Sequence, residues 1–294
     1  SEFDLGLSPR KAIYIPFPQA IPSKYIIDID HCIRCDKCIS VCKPQAIDFT
    51  QKSKIHILTP GQIIVATGFD PYDPSSDDRL KYGLAPNVIT GLELERLLNA
   101  SGPTGGKIFR ASDGKKPKRV AFIQCVGSRD VNSNPYCSRV CCVYSIKHAR
   151  MLREKYPDIS TTIFYMDIRA FGKGYEEFYE QAMRQYGVKL IRGRVSEILE
   201  DPATHNLIIK AEDTLLGRRI SLEFDLVVLA IGLTPRKDAL DLVKMLNISQ
   251  SADGFFLEAH PKLAPVDTSM RGIYICGVAQ GPKDIPDSVA QAKG

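Results

Sequence analysis

The chain lacks any long hydrophobic run. A membrane-crossing helix needs roughly 20 apolar residues, and the longest run here, LVVLAIGL at 226–233, is far shorter. It also lacks a strong excess of one charge: 39 Lys and Arg against 34 Asp and Glu leave a net charge of +5 over 294 residues. The densest basic run, KKPKR at 115–119, reads as a solvated linker, and no basic stretch is interleaved with aromatics. Nucleic acid is therefore not an expected partner, and no membrane span is expected. The opening SEFDLGLSPR has no basic region leading into an apolar stretch, so no secretion signal is expected and the cytoplasm is the expected compartment. It has no initiating methionine either, so a fragment is expected. Internal repeats and low-complexity tracts are absent.

What the chain does have is cysteine, nine in all. In a reducing compartment disulfides are rare. Eight of the nine fall in two groups, Cys32–Cys42 and Cys125–Cys142, a distribution that points to metal ligation. Cys276 stands alone on a predicted strand and is expected to be a small buried apolar residue.

Residues 8–30 are rich in Pro and β-formers and read as irregular extended structure. KIHIL (54–58) predicts a short strand and GQIIVATG (61–68) a buried one. Residues 90–99 predict a helix with Thr90 as its N-cap, before a Gly/Ser/Lys boundary. From Arg119 onward strands and helices alternate. RVAFIQC is a strand, the helix after it starts near Ser138, STTIFYMD is a strand, and a further helix ends on Gly187 before VKLIRG. This alternation implies an α/β fold with a parallel sheet and crossover helices. A β-meander, the buried strand DLVVLAIG and a final helix start complete the chain.

Cys32-x2-Cys35-x2-Cys38-x3-Cys42 has the ligand spacing of a bacterial ferredoxin-type [4Fe–4S] site. Zinc sites more often show two separated pairs. In two-cluster ferredoxins the fourth cysteine serves the other cluster, so Cys42 either closes a local cluster or belongs with a second run.

The strand at Arg119 opens what would be a dinucleotide-binding unit, which needs G-x-G-x-x-G at the turn into its helix. The sequence there is Gln124-Cys125-Val126-Gly127-Ser128, with two of the three glycines missing and about ten residues inserted. Cys125 stands at the strand end. Cys137 and Cys141 are spaced one helical turn apart, and Cys142 adjoins them. Three readings stay open: a thiolate-bound cluster at the helix start, where an anion is favoured; a redox disulfide, Cys137–Cys141 or Cys141–Cys142; and buried free thiols.

Four segments carry a resemblance: RKAIYIPFPQAIPSKYIIDIDHCIRCDKCISVC, IIVATGFDPYDP, FIQCVGSRD with YCSRVCC, and GVAQGPKDIPDSVAQAKG. Together they resemble the A subunits of heterodisulfide reductases through nearly the whole chain. The resemblance implies a thioredoxin-reductase-like flavoprotein fold with two dinucleotide-binding domains and a ferredoxin-type insertion. It implies FAD and [4Fe–4S] clusters as cofactors. It implies electrons taken from a hydrogenase or formate dehydrogenase partner, bifurcated at the flavin, and sent to ferredoxin and, through the B and C subunits, to a disulfide. It assigns Cys125, Cys137, Cys141 and Cys142 to an unusual cluster and Lys147 to the reactive edge of the flavin. Parts of a flavin site are implied at Thr67 and Gly68 and in the 277–288 loop. Val278 follows Gly277 where related flavoproteins carry Asp, and Gln280, Asp287 or Ser288 are the candidates to replace it. The implied division is 1–58 (second half of the insertion), 59–115 (FAD domain), 116–232 (the dinucleotide unit with its cysteines) and 233–294 (FAD domain again). The family's N-terminal G-x-G-x-x-G region and C-terminal ferredoxin module are not in this sequence. Rival readings are the flavin-binding A component of a quinone-interacting membrane oxidoreductase, a pyridine-nucleotide disulfide reductase using a cysteine pair, and a cluster-carrying scaffold.

Overall fold

Proline placement keeps regular pairing sparse at the start of the chain. Pro9, Pro16, Pro18 and Pro22 each remove a backbone donor, and only β1 (Ile13–Tyr14) and β2 (Ile26–Ile27) pair, antiparallel. One short helix follows, α1 (Lys37–Val41). The computed structural model describes residues 1–294 and divides into two units, Ser1–Pro60 with Arg96–Lys107, and Gly61–Glu95 with Ile108–Gly294. In the smaller unit, ion pairs do much of the tying. Arg96 reaches Asp4 at 2.9 Å and lies over the Phe3 ring, and Arg10 bridges Glu2 and Asp28. The strand expected at KIHIL does not form: no neighbouring strand supplies a ladder, and Ile55 and Ile57 stay more than nine-tenths exposed.

The larger unit opens with β3 (Ile63–Val65), β4 (Asp70–Pro71) and β5 (Val88–Thr90), which leads into α2 (Gly91–Leu98). Thr90 caps α2 as expected. Its Oγ1 accepts from the Glu93 N–H at 3.2 Å while the Glu93 carboxylate accepts from the Thr90 N–H at 2.6 Å, a reciprocal capping box. Then come β6 (Arg119–Val126), α3 (Cys141–Lys155), β7 (Ser160–Tyr165), α4 (Tyr175–Arg184) and β8 (Lys189–Arg192). The meander is β9 (Val195–Glu200), β10 (Leu207–Asp213) and β11 (Arg218–Phe224). The chain ends with β12 (Leu226–Ile231), β13 (Leu233–Thr234), α5 (Ala239–Leu246), β14 (Ile273–Ile275) and α6 (Ile285–Lys293).

Five strands form one parallel sheet in the order β5-β12-β6-β7-β8. From β6 the chain winds through α3 to β7 and through α4 to β8 on one side, while β12 and β5 lie on the other. The order therefore reverses between β6 and β12, and in such sheets the crevice at that reversal, at the carboxyl ends of the strands, is where ligands sit. The meander covers one face: Ile198, Leu207 and Ile209 are fully buried with Ala121, Ile123, Val227 and Leu229, and the rings of Phe164 and Phe224 meet edge to face at 5.9 Å. Helix α3 packs over β6, β7 and β12, burying Ile146, Ala149 and Leu152. β12, apolar and buried at every position, is the sheet's most enclosed strand. No helix is long and apolar enough to cross a membrane.

Two expectations need correction. β3 is not a buried strand: only Val65 is buried, because β3 pairs with β14 alone in a two-stranded sheet and Ile64 stays 63% exposed. Cys276 lies just past β14 and is only partly buried, since the backbone turns there into a short 3-10 segment over 277–279.

Removing the fully buried Phe122 ring from β6 should cost about 3–5 kcal/mol, and breaking the α2 cap with Thr90→Ala about 1 kcal/mol. Urea unfolding of Phe122→Ala and Thr90→Ala at neutral pH reads both, with the first variant the more destabilised.

Candidate functional site

The register of β6 against β12 slips near the carboxyl end. Ile123 pairs with Leu229, but the next pair is Val126 with Ile231, so β6 carries one residue too many. The slip coincides with Cys125, held at φ +61. A non-glycine residue in that left-handed region costs about 1–3 kcal/mol. A bulge of this kind re-aims a side chain next to a site. Gly127 follows at φ +70, where a Cβ would fall 2.2 Å from the Tyr72 ring, so only glycine fits.

Residues 127–140 replace the expected phosphate-binding turn with a loop pinned to the end of β12. The Ser128 and Ser138 hydroxyls bond each other at 2.6 Å, and Ser138 Oγ accepts from the Leu233 N–H at 2.9 Å. The Tyr136 hydroxyl donates to the Leu233 carbonyl and the Tyr144 hydroxyl to that of Ile231, both at 3.0 Å. Gly232 permits the close approach, since a Cβ there would lie 2.3 Å from Ser128 Oγ. Ser138 is thus not the helix cap. Helix α3 starts at Cys141, with Val140 before it and no side-chain cap. Arg139 at φ +62 breaks the helical path, so Cys137 comes from the loop rather than from a helix face shared with Cys141.

The structure gathers Cys125, Cys137, Cys141 and Cys142 at this crevice, close enough that thiolate charge on one raises the pKa of others. Cys141 and Cys142 are buried in the first turn of α3, and Cys125 and Cys137 are partly buried. Burial pushes the Cys142 thiol up to about 11, and pushes Cys141 higher still. The Cys141 thiol donates to the Ile231 carbonyl and the Cys142 thiol to that of Asp167. Cys137 also accepts from the Arg139 N–H at 3.3 Å, and the Arg129 guanidinium and the Arg169 N–H act against burial to lower the Cys125 and Cys142 thiols. Beside them, both amide atoms of Gln124 and the Ser145 hydroxyl are buried with no hydrogen-bond partner in the chain. No three His, Cys, Asp or Glu side chains converge on a point that one metal ion could occupy, which is not the arrangement of a tetrahedral zinc site. A cubane is larger than an ion and takes one thiolate on each of its four irons. Four soft sulfur donors, orphaned polar groups and an uncapped helix start suit such an anionic guest, and metal coordination deprotonates a thiol outright.

In the smaller unit, Cys32, Cys35, Cys38 and Cys42 are spread over the turns around α1, none of them fully buried. Arg34 at φ +51 and Asp36 at φ +56 wind the backbone tightly, and backbone N–H groups of Arg34 and Ala46 donate to the sulfurs of Cys32 and Cys42 at 3.4 Å.

The candidate flavin residues also come together in part. β14 pairs with β3 in parallel, Ile275 opposite Val65, so Thr67 and Gly68 share an edge with Gly277 and Val278. The Gln280 amide donates to Glu258 at 2.8 Å and its carbonyl accepts from Lys283. Asp287 pairs with Arg139 at 2.7 Å, and the Ser288 hydroxyl donates to the Asp284 carbonyl. All three candidates to replace the missing Asp are therefore engaged within the chain. Lys147 bonds Glu95 at 2.5 Å, and the same carboxylate oxygen meets Nε2 of His148. Burial lowers the His148 pKa and its Nδ1 has no partner. The sequence pointed to neither Glu95 nor His148, nor to Arg129, Arg139 and Lys283. Charged residues at ordinary helix and loop positions announce no partner far along the chain.

A doubly wound α/β sheet with four cysteines at its switch point defines the class. No family model matches the chain. Among known proteins it is similar to the second iron-sulfur A subunit of the CoB–CoM heterodisulfide reductase of Methanopyrus kandleri, 60% identical over 99% of this chain and 44% of that protein. The iron-sulfur A subunit of the CoB–CoM heterodisulfide reductase of Methanocaldococcus jannaschii is 57% identical over 100% and 45%. The A subunit of the H2:CoB–CoM heterodisulfide,ferredoxin reductase of Methanothermobacter marburgensis is 55% identical over 99% and 44%. The chain belongs to this family, the A subunits of heterodisulfide reductases, and it spans less than half the length of these relatives. Among solved structures, thioredoxin reductases of Lactococcus lactis (TM-score 0.49, 18% identical, 78% of this chain and 62% of that one) and T. acidophilum (TM-score 0.48, 16% identical, the same coverage) are similar.

The hydrogen bond from His148, followed by that from Lys147, pulls the Glu95 carboxyl down to about 2 from 4.5. A depressed carboxyl means the unfolded chain binds more protons, so this contribution is fully present above pH 4.5 and is lost as pH falls toward 2. The carboxylate is 39% exposed, so solvent screening keeps the contribution small. Glu95→Gln should flatten the fall in stability between pH 5 and pH 3, as read by urea midpoints. A variant losing stability as steeply as the parent would contradict the assignment.

Proposed function

We propose that this chain is an electron-transferring part of a heterodisulfide reductase. One [4Fe–4S] cluster is held by Cys125, Cys137, Cys141 and Cys142, and another by the Cys32–Cys42 run, with Cys42 closing it or serving a second run. The observation that carries the reading is the placing of four cysteines, from the end of β6, the loop after it and the first turn of α3, where the strand order reverses and a dinucleotide would otherwise bind. The words "iron-sulfur" in the relatives' names support it. FAD is the second cofactor in this reading, with Thr67, Gly68, Gly277, Val278, Gln280, Asp287 and Ser288 at its edge. The division at 1–58, 59–115, 116–232 and 233–294 belongs to the same reading. When bound, these groups would supply one- and two-electron transfer. The chain's own residues do the rest: cysteine thiolates hold iron, the β6 bulge and the Ser138 anchor fix the sulfurs, the sheet and α3 exclude water, and Glu95 positions Lys147 Nζ. In the whole protein, working in the cytoplasm, electrons would come from a hydrogenase or formate dehydrogenase. They would be bifurcated toward ferredoxin and, through the B and C subunits, toward the disulfide. Names of relatives that pair H2 or formate with heterodisulfide and ferredoxin support that routing.

Iron and sulfide quantitation on the anaerobically reconstituted chain tests the ligand sets. Cys35→Ala and Cys141→Ala should each remove about four irons, one cubane. A folded Cys141→Ala protein with undiminished iron would contradict the four-cysteine assignment. The same protein should not bind NADH or NADPH, because Gln124-Cys125-Val126 stands where backbone must approach a pyrophosphate. Micromolar binding by calorimetry would sink that expectation.

A further inference from the structure

We propose that Arg139 is a positioning residue that couples the two halves of the candidate site: iron at the four cysteines fixes the Arg139 backbone, and the Arg139 side chain in turn holds the start of α6 and the glycine edge behind it. The inference rests on the iron–sulfur reading above and goes beyond it, to what loading the cysteines does to residues that touch no sulfur.

Arg139 stands midway between two of the candidate ligands. Its N–H donates to Cys137 Sγ at 3.3 Å, and two residues further on Cys141 opens α3. Its backbone is left-handed, at φ +62. A non-glycine residue keeps such a backbone only where its surroundings hold it there. Iron bound by Cys137 and Cys141 would restrain the chain on both sides of Arg139, and so set the direction in which its side chain leaves the loop.

That side chain reaches a helix 148 residues further along the chain. Arg139 Nη2 donates to the Asp287 carboxylate at 2.7 Å, and the guanidinium lies over the Phe171 ring at 4.9 Å. Asp287 is in the first turn of α6, where its N–H donates to the carboxylate of the capping Asp284 at 2.9 Å. From α6 the contacts pass to the candidate flavin residue Gly277. The Gly277 N–H donates to Gln291 Oε1 at 2.9 Å, and its carbonyl accepts from Lys283 Nζ at 2.8 Å. Every link lies within the larger unit. The side chains of Arg139 and Asp287 are 34% and 49% exposed, so solvent screens the pair and the effect is graded rather than all-or-none. The Tyr175 hydroxyl holds Asp284 separately, at 3.3 Å, which keeps α6 docked when the cysteines are empty.

The test is hydrogen exchange, read by mass spectrometry on the full chain, iron-loaded against iron-free. It is run in the Cys35→Ala background so that iron fills the four-cysteine centre alone. Amides of residues 277–291 should exchange about threefold more slowly when iron is bound, the scale of one half-exposed ion pair made firmer. Arg139→Gln and Asp287→Asn should each abolish this difference at full iron content. Arg139→Lys should restore most of it, since the pair uses a single N–H and the charge is kept. The readout is the difference between loaded and empty chains, because a merely structural contact would change exchange equally in both. Equal exchange in the loaded and empty parent overturns the proposal, and so does a difference that survives Arg139→Gln. If Arg139→Gln does not retain iron, Asp287→Asn decides: loss of the difference supports the proposal and its survival overturns it. A folded Cys141→Ala protein with undiminished iron would instead overturn the cluster assignment, an outcome distinct from a loaded centre that leaves 277–291 unchanged.

Discussion

One extra residue in β6 governs the architecture around the sulfur site. Between the Ile123–Leu229 pair and the Val126–Ile231 pair the two strands cannot stay in step, and the surplus is absorbed where Cys125 adopts a left-handed backbone. Were β6 regular there, Cys125 would continue the alternation of the strand. Instead the strand ends turned toward the crevice beside the first turn of α3. The local cost falls beside β12, a strand buried at every position. A unit with that much enclosed apolar surface can hold an unfavourable dihedral that an isolated hairpin could not.

The sulfur loop is also tied to the far edge of the same unit through Arg139. That residue lies between Cys137 and Cys141, stacks at 4.9 Å over Phe171, and pairs with Asp287 in the first turn of α6. Asp284 caps α6 through the Asp287 N–H. Lys283, nearly buried, donates to the Gly277 carbonyl and to Gln280. The loop that carries Cys137 and the glycine edge after β14 are thus connected by short polar links, so a displacement of one is felt by the other.

Local signals were the legible ones. Thr90 with Glu93 and the strands from Arg119 onward needed only near neighbours in sequence, and the structure has them. The cysteine spacings were visible for the same reason. The bulge was not, because it is a mismatch between two strands about a hundred residues apart, and neither strand contains it alone. Helix α3 begins three residues later than Ser138 because the serine hydroxyl is spent on Leu233, a partner no helix-start rule anticipates. KIHIL had the composition of a strand and lacked a neighbour to pair with. Glu95 sits in a regular turn of α2 and gains its meaning only when α3 brings Lys147 and His148 against it.

The pairing of β3 with β14 joins residues 63–65 to residues 273–275. Most of the chain is the loop that this contact closes, and the entropy cost of closure grows with loop length. Contacts of such long sequence separation slow folding and are typically made after local ones. The edge carrying Thr67 and Gly68 therefore stays unmade until the end of the chain arrives, whereas the sulfur-bearing crevice needs only the span from β6 to β13. The two halves of the candidate site are thus separable in time: the thiols can be in place while the glycine edge is still open.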